Sequence, residues 1–246
     1  MNKPGEKPSD QTKGRLFLIP SALGGDSAAD IWPSGNLDRI RHIRTFVVEN
    51  VRSARRFLRM AGFMADFEDI RFLLLNKHTT EAELSRYLDP ASEGMDIGLL
   101  SEAGNPCVAD PGQSIVSLAH KKGILVVPLV GASAILLGLV ASGFSGQRFA
   151  FHGYLPIPKG ERQKAIRALE RQAYAGDQTQ IFMETPFRNN TLMEDLILVC
   201  RPETLLCVAC DLSLPEEYIR TRAVQQWKKK LPDLHKRTSI FLIYHP

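Results

Sequence analysis

Short apolar runs separated by stretches of helical character limit what this chain can fold into more than any other feature of it. The runs are Arg15 to Ile19, Phe46 to Val48, Phe72 to Leu75, Ile97 to Leu100 and Ile124 to Val127. Helical patterns occupy Arg52 to Ala61, Glu81 to Leu88 and Ser114 to Lys122 between them. Strand, helix, strand in repetition predicts a mostly parallel sheet with helices on its faces. The runs are continuously apolar rather than alternating, as expected of strands covered on both sides.

The rhythm changes after Ser142-Gly-Phe-Ser-Gly146. Beyond that break, Phe149 to Phe151 reads as a short strand, Gly153 to Pro158 as a stiff loop and Glu161 to Tyr174 as a charged helix. Ile181 to Met183, Leu205 to Ala209 and Ser239 to Tyr244 read as further strands. The Gly-rich break is a domain boundary cue. The expected organisation is a disordered tail over residues 1–14, an N-terminal α/β domain over 15–145 and a C-terminal α/β domain over 146–246. The tail is rich in Lys and Pro with no apolar core, the composition of frayed ends rather than of a targeting segment.

Several classes drop out. No charge occurs from Ile124 to Gly146, a length that could span a bilayer. Pro128, Gly131, Gly138 and Gly143 interrupt it, and its β-branched start gives way to a helix-favouring Ala134 to Ala141. Strand, turn and buried helix is the simpler reading, so no membrane partner is expected. Four cysteines in 246 residues do not resemble a secreted disulfide framework. Cys207 and Cys210 have CxxC spacing inside an apolar run, where residues three apart point to opposite faces. There is no second CxxC and no histidine spacing for zinc, so no metal is expected. The net charge of +4 permits an anionic partner without requiring one.

Ligands of open α/β sheets bind at the carboxyl ends of the strands. Three loops in such positions combine Gly or Pro with polar groups: Ser101-Glu-Ala-Gly-Asn-Pro106, Val130-Gly-Ala-Ser133 and Glu184-Thr-Pro-Phe-Arg188. Gly104 and Gly131 allow close backbone approach to a ligand, and Ser133 suits a helix N-cap. Ordinary turn chemistry accounts for any one such loop; their common placement is what points to a site. The dinucleotide and P-loop fingerprints are absent. Gly131-Ala-Ser-Ala-Ile135 approaches a nucleophile elbow but lacks its final Gly. Ser133, Asp211 and His235 stand in hydrolase chain order, a reading that labelling of Ser133 by a fluorophosphonate would support.

The segment Val51 to Ala61 carries the clearest charge pattern. Arg52, Arg55, Arg56 and Arg59 form one helical stripe, with Val51, Ala54, Leu58 and Ala61 opposite. Arginine suits bidentate contact with phosphate, and a solvated helix face has the same pattern. Lys228 to Lys230 reads as solvated surface.

At the strand-end loops the chain resembles the tetrapyrrole-methylase superfamily. Within it, the chain is most similar to the small-subunit rRNA ribose 2'-O-methyltransferases that modify a cytidine. The likeness runs from about Arg15 to the end and is most specific from Leu99 to Pro156. The family's Ser-Asp-Ala-Gly-Thr-Pro is met by Ser101 to Pro106, its Asp-Pro-Gly by Asp110-Pro-Gly112, and its Glu-Ser-Pro-His-Arg by Glu184 to Arg188. Its Lys-Gly-Glu-Arg is kept at Lys159 to Arg162. The departures fall at Pro20-Ser-Ala-Leu-Gly-Gly25, Glu49-Asn-Val-Arg52, Val130 to Ser133 and Ala209-Cys-Asp-Leu-Ser213, which marks a divergent member.

The resemblance implies two α/β domains, the first with a mostly parallel and the second with a mixed sheet, and S-adenosyl-L-methionine held in a cleft between them. It implies a cytoplasmic homodimer acting on rRNA or the small ribosomal subunit. For the cofactor it points to Pro20, Glu102, Ala103, Gly104, Asn105, Val108, Ser133, Ala134, Tyr154, Leu155, Met183 and Ala209. A ribose hydroxyl is a poor nucleophile and needs help to lose its proton; Glu49, His78 and Glu184 are the candidates for that catalytic help. Arg52, Arg55, Arg56 and Arg188 are the candidates for binding substrate. Glu49 also suits a helix N-terminus, and His78 a surface loop. A tetrapyrrole acceptor, equally anionic, and a non-catalytic RNA-binding role remain open at this point.

Overall fold

The computed structural model describes residues 13–24 and 32–246. The described residues separate into two compact units, the first ending at Ala132 and the second beginning at Ser133.

The first unit runs β1 (Arg15–Ile19), α1 (Gly35–Ile40), β2 (Thr45–Val48), α2 (Val51–Met60), β3 (Arg71–Leu74), α3 (Glu81–Tyr87), α4 (Asp89–Ser92), β4 (Ile97–Leu100), α5 (Gln113–Lys121) and β5 (Leu125–Pro128). Its strands form one five-stranded sheet in the order β3-β2-β4-β1-β5, and every pairing is parallel. Side chains alternate in direction along a strand, and β1 shows what that does here. Phe17 and Ile19 enter one core cluster with Phe46 and Leu58; Leu16 enters the other with Val47, Leu99 and Ile115. Both faces are covered, so the apolar run is continuous. The edge strands do not share this: Leu74 is 50% and Leu125 64% exposed. Gly98 in β4 is small for a reason, since a Cβ there would lie 2.6 Å from Phe46 and 2.8 Å from Ile19.

Strand and helix limits in this unit differ from the sequence expectation by one residue at β2, β3, β5, α2, α3 and α5, the usual fraying of element ends. The expected tail needs a larger correction. Gly14 donates its N–H to the Ala91 carbonyl at 2.8 Å, and Lys13 Nζ donates to the Lys122 carbonyl at 2.6 Å. These two residues belong to the fold, and residues 1–12 lie outside the described ones.

The second unit runs α6 (Ala134–Ser142), β6 (Phe149–Tyr154), α7 (Lys159–Gly176), β7 (Thr179–Glu184), α8 (Asn189–Val199), β8 (Leu205–Cys210), β9 (Tyr218–Ala223), α9 (Val224–Trp227) and β10 (Ser239–Tyr244). Its sheet is mixed, in the order β6-β7-β10-β8-β9. The β6–β7 pair is parallel and the others antiparallel. Cys207 faces one core cluster and Cys210 the other, so the two thiols point apart as strand parity requires. Helix α6 packs on this sheet: a Cβ on Gly138 would stand 3.4–3.6 Å from Ile240, Ala209 and Leu242. The helix therefore groups with the second sheet, ahead of the Gly-rich segment at which the sequence pattern breaks. The expected loop at Gly153 is also shorter, because Gly153 turns at φ +63° and β6 continues through an irregularity to pair Tyr154 with Met183.

Candidate active site

All strands of the first sheet run the same way, so the loops after β1, β2, β4 and β5 leave from one edge. Three of them are bonded together. Ser21 and Gly104 form an isolated antiparallel bridge, with the Ser21 N–H donating to the Gly104 carbonyl at 2.9 Å. Ser101 Oγ donates to the same carbonyl at 2.6 Å, and Ser21 Oγ donates to the Ser101 carbonyl at 2.7 Å. The loop after β4 meets that after β5 where Asn105 Nδ2 donates to the Ala132 carbonyl at 3.3 Å. Gly131 lies against Pro20 so closely that a Cβ would be 2.2 Å from the Pro20 ring. The divergent first loop is thus tied into the edge through Pro20 and Ser21; Gly25 lies outside the described residues. Gly104, at φ +67°, makes the turn that leaves Glu102, Ala103 and Val108 exposed.

The loop after β2 brings an acid to this edge. Glu49 is half-buried at the end of β2, and Asn50 caps α2 by accepting from the Arg52 and Ser53 N–H groups at 2.8 and 3.3 Å. Ser53 Oγ donates to Glu102 Oε1 at 2.5 Å. Burial raises the Glu49 pKa, and the neighbouring charges of Asp110 and Glu102 add to it against the pull of the Glu102 N–H. Asp110 is raised too, chiefly by burial, although its Oδ1 accepts from the Cys107 and Gly112 N–H groups at 2.8 and 2.7 Å. Burial and Asp110 push the Cys107 thiol up to about 11, so it is no nucleophile near neutral pH. A half-buried carboxylate raised by burial and like charge is the electrostatic setting of a proton acceptor.

The four arginines of α2 are exposed, and Ala54, Phe57 and Leu58 are buried behind them. Two are laid on aromatic rings: Arg59 stands 4.3 Å from the Phe67 centroid, and Arg55 5.6 and 5.4 Å from Phe67 and Phe72. His78 sits exposed in the turn after β3, its N–H donating to Asn76 Oδ1 at 2.8 Å. No bond links its side chain to the Glu49 cluster among the described residues.

In the second unit Ser133 caps α6, accepting from the Leu136 N–H at 3.4 Å. Tyr154 pairs with Met183, Met183 with Ile240, and Ile240 with Ala209, one row across four strands. Ala134 packs in the same cluster as Met183 and Ile240. Leu155 is buried in the opposite core, leaving its backbone for any ligand contact. Glu184 is buried, its Oε1 accepting from the Thr185 N–H and Arg188 Nη2, both at 2.6 Å. Arg188 is therefore engaged by Glu184, which raises its pKa.

Sequence reasoning missed Asp110 as an electrostatic partner of Glu49, since 61 positions separate them and only the crossover β2-β4 joins their strands. It also missed Ser21, Ser53 and Ser101 as the bonds that shape the edge.

An open parallel sheet with small residues and raised acids on its carboxyl-edge loops, followed by a mixed-sheet unit, defines an α/β ligand-binding enzyme class. The chain belongs to the Tetrapyrrole (Corrin/Porphyrin) Methylases, whose family model matches residues 40–226. It is accordingly an S-adenosylmethionine-dependent methyltransferase. Curated relatives include proteins named Ribosomal RNA small subunit methyltransferase I. That of Escherichia coli O157:H7 is 28% identical over 238 residues, covering 96% of this chain and 79% of the relative. The Haemophilus influenzae protein is 30% identical, covering 84% and 72%. The Halalkalibacterium halodurans protein is 33% identical, covering 76% and 61%. Solved structures share the fold. The methyltransferase CobJ has a TM-score of 0.61 at 18% identity, with 94% of each chain covered. A Thermus thermophilus uroporphyrin-III C-methyltransferase complexed with S-adenyl homocysteine has 0.54 at 15%, covering 94% of this chain and 98% of that one.

Proposed function

We propose that this methyltransferase modifies a ribose 2'-hydroxyl of small-subunit ribosomal RNA. The observation that carries the reading is the junction of β2 and α2. There a carboxylate with a raised pKa stands at the foot of an exposed arginine stripe. The names of the relatives agree with it. Glu49 takes the hydroxyl proton; it is closer to neutral-range basicity than an ordinary carboxylate, which favours transfer. Arg52, Arg55 and Arg56 hold the flanking phosphates, Arg55 already fixed over its aromatic rings.

The strand-end loops fit the methyl donor. Gly131 packs against Pro20 with no room for a side chain, which holds the first loop to the edge, and the turn at Gly104 leaves Ala103 exposed, open to a zwitterionic nucleoside ligand. The donor contacts proposed in the first unit are Pro20, Glu102 to Asn105 and Val108; those proposed in the second unit are Ser133, Ala134, Tyr154, Leu155, Met183 and Ala209. When bound, the donor supplies an electrophilic methyl group, and the residues around it supply position and electrostatics. Glu184, already held by Arg188, serves more as a fixed charge than as a base. The protein acts as a homodimer in the cytoplasm, on rRNA or the assembling small subunit. Among the described residues no helix is long and apolar enough to cross a membrane.

The test is transfer of labelled methyl to undermethylated small ribosomal subunits, with the product nucleotide mapped by its resistance to alkali. A 2'-O-methylated nucleotide lost in Glu49→Gln supports the reading. Methylation of uroporphyrinogen instead would assign the arginines to a porphyrin's carboxylates, and RNA binding without transfer would leave a binding role alone.

A further inference from the structure

Arg162 lies in the first turn of α7 with its side chain 5% exposed, facing Asp195 of α8 at 4%. Its Nε donates to Asp195 Oδ2 at 2.7 Å, and its Nη2 lies 2.6 Å from the same oxygen. Gln163 Nε2 donates to Asp195 Oδ1 at 2.8 Å. The remaining arm, Nη1, reaches outside the pair and donates to the Ile157 carbonyl at 2.6 Å.

A buried ion pair adds little to stability, because desolvation offsets the attraction, and packed apolar residues of similar volume often do as well. An apolar pair cannot reproduce the bond to Ile157. That residue is 63% exposed and lies in Leu155-Pro-Ile-Pro158, where two prolines remove half of the N–H donors available to anchor the backbone. The guanidinium fork grips a carboxylate and a carbonyl at once, which an ammonium does not.

We propose that Arg162, held by Asp195 and Gln163, is a positioning residue that fixes the backbone leaving β6 so that Tyr154 and Leu155 meet the methyl donor in one conformation. This rests on the assignment of those two residues to the cofactor.

Calorimetric titration with S-adenosylhomocysteine, beside thermal unfolding, tests it on the full chain, on Arg162→Lys and on the double variant Arg162→Met with Asp195→Leu. Both variants are expected to unfold within a few degrees of the parent and to bind about tenfold more weakly, a change of about 1.4 kcal/mol. The KM for S-adenosylmethionine rises in step while kcat is nearly kept. Folded variants with the parent's affinity overturn the proposal and leave the pair a structural one. A parent that binds neither cofactor form would instead sink the functional reading, and this proposal with it. Hydrogen exchange of the unaltered chain gives an answer even if the variants misfold. The Ile157 amide, beyond the proposed cofactor contacts, should be as protected before S-adenosylhomocysteine is added as after it, and protection gained there only on binding overturns the proposal.

Discussion

Glu49 and Asp110 lie half-buried in the first unit with no cation against them among the described residues. In the second unit Glu184, Asp195 and Asp211 each face an arginine nitrogen at 2.6 Å. The sheets differ in the same way. The parallel sheet has apolar clusters on both faces, and its acids stand at the strand ends. The mixed sheet threads ion pairs through its helix contacts, as between α7 and α8. An unpaired half-buried acid is held in an unfavourable state that chemistry can use. A paired one is frame. On the proposed reading, proton transfer belongs to the first unit and the paired acids of the second hold geometry.

The largest effect expected from this difference is in the frame. Asp195→Ala leaves Arg162 buried and uncompensated and should cost about 3–5 kcal/mol, read by urea unfolding. Asp110→Asn keeps an oxygen for the Cys107 and Gly112 N–H groups, removes a charge that faces no cation among the described residues, and should cost nothing measurable. Equal losses in both variants would break the contrast. Next comes Glu49→Gln, which should lower single-turnover methyl transfer about 100-fold or more, the usual share of a general base, with the fold intact. A variant of undiminished rate would leave the raised acids of the first unit without a chemical purpose.

Gly131→Ala sharpens the comparison at the loops proposed to hold the cofactor. A Cβ 2.2 Å from Pro20 forces the first loop away from the edge. Overpacking of this kind costs about 1–3 kcal/mol, and S-adenosylhomocysteine affinity should fall with it, by about tenfold, in calorimetry. Reversing Arg55 and Arg56 to Glu should act on RNA alone. RNA affinity falls, and the slope of log affinity against log salt flattens by about 2, near one unit per lost phosphate contact. Cofactor affinity stays as it was.

These contrasts were unevenly legible in the sequence. The first sheet announces itself because parallel strands covered on both faces must be apolar throughout, and the Arg52 to Arg59 stripe follows from helical period alone. The second sheet hides more. Strand β9 reads Tyr-Ile-Arg-Thr-Arg-Ala at an open edge, where arginines are tolerated and no apolar run appears. Helix α8 carries its buried Asn189 and Asp195 on the core side, which blurs the apolar stripe. The row Tyr154, Met183, Ile240 and Ala209 depends on strand register after an irregularity in β6, and register has no one-dimensional signature. The Glu49–Asp110 pairing is a product of strand order, which brings β2 beside β4.

The smallest effect has the most decisive sign. Burial first, then Asp110 and Glu102, raise the Glu49 pKa in the folded chain. The folded state therefore holds that proton more tightly than the unfolded one. The resulting stability is complete below the ordinary carboxylate pKa of about 4.3 and is lost as pH rises through the raised folded value. At neutral pH Glu49 is a burden, and Glu49→Gln should raise Tm by about 2 °C, a small gain because the group is partly screened by solvent. The gain should vanish as pH falls below about 4. Asp96, in the same unit, has the opposite sign. Burial works to raise it, but bonds from Arg15 and His42 outweigh burial and lower it. Its contribution is present above the ordinary aspartate pKa and lost as pH falls through the lowered value. Asp96→Asn should therefore lower Tm at neutral pH, and that deficit should shrink in acid. Two acids of one unit would then shift stability in opposite directions at pH 7, with Asp96 behaving as the paired acids of the second sheet do and Glu49 unlike them. If both variants lost stability at neutral pH, Glu49 would be frame, and the line between the two kinds of acid would have to be redrawn within the first unit.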